Sequence, residues 1–122
     1  MSSTESIRIQ RLLALLTLGV CDALQNDVMS IDEAEHLLFS PHSMRCCEEI
    51  GASVIVTGII HEGTELDSIK RLLSVQKCKA SISKMMQDAR TFLRNTEPSE
   101  PQLEKWIDRI IFPCGMKHEG RN

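Results

Sequence analysis

The apolar positions of this chain recur mostly at helical spacing. Over residues 6–25, Ile7, Leu12, Leu15, Leu16, Gly19, Val20, Ala23 and Leu24 fall largely on one helix face, and Leu13 and Leu18 widen it. A helix apolar over most of its circumference belongs at the centre of a fold. Gly19 costs helix propensity there but permits close approach by a neighbour. Ser30-Ile31-Asp32-Glu33 then has the form of a capping box: the Ser30 hydroxyl accepts the Glu33 N–H, and Glu33 reaches back to that of Ser30. Acids in this first turn suit the positive end of the helix dipole. The helix turns Ile31, Ala34, Leu37 and Leu38 inward and stops near Phe39, because Pro41 disfavours helix at Ser40. Ser40 caps the next helix, with Pro41 at its first position, and that helix reaches Ile50 and ends at Gly51.

The stretch 52–61 reads two ways. Val54-Ile55-Val56 has the look of a buried strand, yet Val54, Ile55, Val56, Ile59 and Ile60 also fit a helical face, with Gly63 as a stop. No second strand of similar quality is available to pair with it, so the segment is assigned to helix. Thr64-Glu65-Leu66-Asp67 repeats the capping logic, backed by Leu66, Ile69, Leu72 and Leu73. Ile82, Met85, Met86, Ala89, Phe92 and Leu93 mark an amphipathic helix over about 79–95. Pro98 and Pro101 bracket a short turn. A last helix over 102–112 would bury Leu103, Trp106, Ile107, Ile110 and Ile111, and 113–122 reads as a loose tail. The pattern thus predicts an all-α fold: a compact single-domain bundle of five to seven helices over 1–112, with a central apolar first helix.

Composition supports helix packing. The chain has three Phe, one Trp and no Tyr, so Leu, Ile, Val, Met and Ala must build the core. Sandwiches and barrels lean on aromatic and β-branched residues, and base-stacking RNA or single-strand binders need aromatic platforms. Five cysteines, an odd number including the adjacent pair Cys46–Cys47, point to reduced thiols and a cytoplasmic protein. Arg8 and Arg11 ahead of the apolar run 12–20 and Cys21 have the outline of a lipoprotein signal. Val20 is a poor residue before a processing cysteine, the apolar run continues through Ala23 and Leu24, and the run is too short to span a bilayer. A buried helix of a protein without a membrane span is the preferred reading.

Four stretches together carry a resemblance: Leu18-Gly19-Val20-Cys21-Asp22-Ala23-Leu24; the run 30–41 from Ser30 to Pro41; Ile59-Ile60-His61-Glu62-Gly63-Thr64-Glu65-Leu66; and Glu104-Lys105-Trp106-Ile107. They resemble a family of small bacterial proteins catalogued as a domain of unknown function. The resemblance covers nearly the whole chain and implies a bacterial single-domain helical protein; it brings no reaction with it.

Charge is distributed unevenly. Residues 22–67 hold ten Asp or Glu against one basic side chain, Arg45, a local net of −9, whereas the other 76 residues net +6. Such polarity favours electrostatically steered contact with a basic partner or with another copy of the chain. The expected partner surface comprises Asp32, Glu33, Glu35, Glu62, Glu65 and Asp67, the densest clusters outside Glu48–Glu49. The function that follows is a non-catalytic protein-binding module with an acidic surface, of which an immunity or antitoxin-like protein neutralising a cationic toxin is one form. Self-assembly is the alternative, either acidic half against basic half or a symmetric homodimer through the first helix. An enzyme without a readable motif ranks below both.

Candidate chemistry is thin. His36, His42, Cys46 and Cys47 are the one metal-like cluster, but the histidines flank a helix break and the cysteines point apart, so neither a metal nor any other cofactor is expected. Cys46 with His42 or His61 has the residue types of a nucleophile and base, without a signature around the cysteine. His61-Glu62-Gly63-Thr64 reads first as a hydrogen-bonded helix end, and Cys114 with His118 is weaker still as a metal pair. Glycines are scattered, so no phosphate-cradling loop forms. The two helices over 31–50 offer Arg45 alone to phosphate, which argues against a DNA-reading helix-turn-helix. Lys70, Arg71, Lys77, Lys79 and Lys84 read as a solvated helix face rather than a nucleic-acid surface.

Overall fold

The computed structural model of the chain describes residues 2–98. Among them the order is α1 (Ser3–Gln25), α2 (Ile31–Leu37), α3 (Pro41–Glu49), α4 (Val54–Thr64), α5 (Leu66–Leu72) and α6 (Val75–Arg94). The fold is all-α, and the segment 52–61 is helical from Val54 onward. The expected helix over 102–112 and the tail over 113–122, with Cys114 and His118, lie outside the described residues.

Local chemistry sets the helix starts. Ser30, Ser40, Ser53 and Ser74 each accept a backbone N–H of the first turn that follows. The reciprocal capping box closes one helix earlier than expected: Ser2 and Glu5 exchange both bonds, so α1 begins at Ser3 rather than near Ser6. At Ser30 the hydroxyl accepts the Glu33 N–H at 3.0 Å. Thr64 does not cap α5: it ends α4, its hydroxyl donating to the His61 carbonyl, and α5 starts behind Glu65 without a side-chain cap. α6 starts at Val75, four residues before the expected 79, because Ser74 supplies a cap that the apolar periodicity does not register.

α1 and α6 form the most extensive pair. They run antiparallel: Gln25 reaches Ser83 at one end, and Arg11 donates to Thr96 and the Leu93 carbonyl at the other. α6 also packs on α4 and α5, α3 packs on α4, and α1 is central in touching α2, α4 and α6. The core is Val20, Cys21, Leu24, Leu38, Phe39, Val56, Ile59, Ile60, Leu66, Ile82, Met85 and Phe92 with small residues between them.

The buried side of α1 is rotated from the apolar face read in the sequence. Ser6, Gln10, Ala14, Thr17, Cys21 and Leu24 are buried, while Leu15 and Leu16 are 47% and 45% exposed. Ser6 and Gln10 enter because the α3–α4 break presents backbone groups to them. Ser6 Oγ donates to the Ile50 carbonyl at 2.7 Å, Gln10 Nε2 donates to Ser6 Oγ at 3.0 Å, and the Ser53 N–H donates to Gln10 Oε1 at 2.9 Å. A buried chain of this kind fixes α1 against the break, since leaving any member unpaired is costly. Leu37, Leu72 and Leu73 also differ from the inward positions expected for them; all three are exposed.

Candidate acidic face

The site is organised by Phe39, which follows α2 and is buried, and by Gly63 in the last turn of α4, also buried. A Cβ at position 63 would overlap the Phe39 ring, so only glycine lets the two segments meet this closely. α2 also packs on α5. These contacts set the end of α2 beside the end of α4. Glu35, His36, Phe39, Pro41, His42 and Thr64 line one shallow cleft.

Each expected partner residue has a definite setting. Asp32, Glu33, Glu65 and Asp67 are exposed, and Glu35 and Glu62 are half-buried. Glu33 also lines a second groove, at the opposite end of α2, with Asp27, Lys70 and Lys79 around Val28 and Val75. Glu62 is the least available, because its Oε2 accepts the Ser81 hydroxyl at 2.6 Å and ties α4 to α6. Asp67 pairs with Arg71 at 3.2 Å, which offsets its charge locally. Asp32 lies 3.7 Å from His36, and Glu65 lies 3.7 Å from His61. Those two acids keep their full field only while the imidazoles are neutral. Exposed pairs of this kind are screened by solvent and contribute little to stability.

Histidines are the part of the face that charge counting missed. His36 Nδ1 lies 2.8 Å from the Asp32 carbonyl, and that backbone hydrogen bond, followed by the Asp32 and Glu35 charges, raises its pKa above the ordinary value. The signal was present as His at i+4 from Asp32, a helix-neighbour spacing. It placed His36 beside the acids rather than with the cysteines.

Three of the four described cysteines are buried, and the fourth, Cys46, is partly exposed. Cys21 is fully buried and its pKa is pushed up to about 12 by burial. Burial also raises Cys47 and Cys78. Cys46 meets His42 at 3.7 Å on the surface of α3, one turn apart, whereas His61 is engaged with Glu65 on α4. Among the described residues no group of three or more His, Cys, Asp or Glu could hold a metal ion. Among them, too, no helix is long and apolar enough to cross a membrane.

The described residues therefore define a small all-helical domain. The chain belongs to the family described as Protein of unknown function (DUF3969), which matches residues 4–108. All four stretches that carried the resemblance lie inside that span. Comparisons with curated proteins and with solved structures gave no match.

Proposed function

We propose that this protein is a non-catalytic, cytoplasmic protein-binding module whose acidic face engages a basic protein partner. The observation that carries the reading is the exposure of Asp32, Glu33, Glu65 and Asp67, which leaves carboxylates of both acidic stretches open to solvent. Acids gathered on one face add their fields, accelerate encounter with a cationic surface and impose salt dependence. In its most specific form the partner is a cationic toxin and the protein its bacterial immunity or antitoxin-like neutraliser.

The test is affinity capture from the source organism at low and high salt, with the wild-type chain and with Glu35→Lys/Glu65→Lys as bait. One basic protein held by the wild type at low salt, released at high salt and ignored by the variant is the expected result. Equal retention by the variant would remove the acidic face from the binding event. Capture of the chain itself in place of another protein would favour self-assembly.

A further inference from the structure

We propose that the groove between the end of α1 and the start of α6 binds a small zwitterion with an apolar body: an apolar α-amino acid, or a short apolar peptide with free ends. The groove encloses about 500 Å³, inside the roughly 300–1,000 Å³ of small-molecule sites. Its floor is apolar: Leu24, Cys78 and Ile82 are buried, and Met29 and Ile31 are half-buried. Four charged residues line it, Asp27 and Glu33 against Lys70 and Lys79. None of these four side chains makes a hydrogen bond or an ion pair with another described residue. Two uncommitted carboxylates and two uncommitted ammonium groups around an apolar floor complement a ligand that carries one charge of each sign.

The carboxylate of Asp27 has no use in the fold. α1 ends in a Schellman motif: the Val28 N–H donates to the Ala23 carbonyl at 3.0 Å, and the Asp27 N–H donates to the Leu24 carbonyl at 3.3 Å. The motif holds Asp27 at φ +59°, where glycine or asparagine is usual. Its charge also lies at the negative end of the α1 dipole, which disfavours an anion. Aspartate is therefore a poor residue there on both counts, and no described partner offsets the cost. Val28 departs from the motif as well. An apolar residue at that position frequently packs back on the helix, yet Val28 is 74% exposed and, with Val75 at 47%, rims the groove. Residues that break local folding rules without compensation mark places where function holds them. The ammonium of the ligand goes to Asp27 and Glu33, its carboxylate goes to Lys70 and Lys79, and its apolar body meets the floor.

Amide NMR titration of the full chain tests this. The probes are L-leucine and the dipeptide Leu-Leu at millimolar concentration. N-acetyl-leucine, leucinamide and glycine serve as controls that lack the ammonium, the carboxylate and the apolar body in turn. Expected are saturable shifts centred on residues 27–31 and 75–79, with affinity lower by about tenfold for each control. The tighter of the two probes tells an amino-acid site from a peptide site. Asp27→Asn is expected to weaken binding by a similar factor and to raise the urea midpoint, because asparagine suits the left-handed backbone and carries no charge. Lys79→Met weakens binding too, whereas Lys77→Met, outside the groove, leaves it unchanged. Absence of shifts with both probes overturns the proposal. So does binding of N-acetyl-leucine or leucinamide as tight as that of leucine, and so does an Asp27→Asn variant with a lowered midpoint, which would give the carboxylate a structural task.

Discussion

Gly63 lies directly beneath the ring of Phe39, so close that a single added methyl would overlap its carbons. Gly63→Ala should therefore destabilise the domain. Overpacking of a closed contact costs about 1–3 kcal/mol, and the helix propensity gained returns about 1 kcal/mol at most. Gly58, on the same helix, is exposed and has open space around its Cβ position, so Gly58→Ala should stabilise by about 0.5–1 kcal/mol. Urea denaturation of the two variants checks the opposite signs.

The buried chain through Ser6, Gln10, Ile50 and Ser53 predicts a polar cost in a position where leucine looks harmless. Gln10→Leu removes the acceptor of the Ser53 N–H and the donor to Ser6. Stability should fall by about 1–3 kcal/mol even though the new side chain is more apolar. A shift in the denaturant midpoint without a change in slope would be the readout.

Those same residues show where the sequence was legible and where it was not. Ser40–Pro41, Gly51 and the run from Ile82 to Phe92 carry their structural meaning locally, through a hydroxyl, a fixed φ, a positive φ or a clean helical period; they mark α3, its end at φ +65° and the core side of α6. α1 is apolar nearly all round, so its periodicity has no single phase. The side that is buried was decided by Ile50 and Ser53, more than 40 positions away, whose backbone groups needed polar partners. At Thr64 the residue types for a cap were present, but the helix before it ran one turn further and took the hydroxyl inward. The acidic clusters were countable in the chain; the contact of Phe39 with Gly63, which sets the end of α2 beside that of α4, is encoded by no local pattern.

His36 gives the proposed acidic face a pH dependence with a definite sign. Its folded pKa is raised, first by the Asp32 carbonyl and then by the Asp32 carboxylate. Its small contribution to stability is complete below the unfolded value and disappears as pH rises through the folded one. Binding runs the other way: protonation adds a positive charge beside Asp32 and Glu35, so association with a basic partner should weaken as pH falls through the folded pKa. Histidine NMR titration should place His36 above a model peptide, and His36→Gln should make the binding profile less steep.

The cysteines should separate by reactivity. Cys46 is partly exposed on α3, while Cys21, Cys47 and Cys78 are buried with raised pKa values. Under native conditions near pH 8 iodoacetamide should label Cys46 first among the four, and Cys21 should react only after the chain unfolds. Peptide mapping of the alkylated protein over time checks the order.

The clamp from Arg11 to Thr96 joins positions 85 apart. A ribosome delivering residues at about 5–20 per second releases α1 roughly 4–17 s before the end of α6 can reach it. Through that interval the longest helix of the domain carries its apolar side without its main cover. Birth order thus makes α1 the segment on which a nascent-chain chaperone would act, and a circularly permuted gene that begins at α6 would shorten the wait.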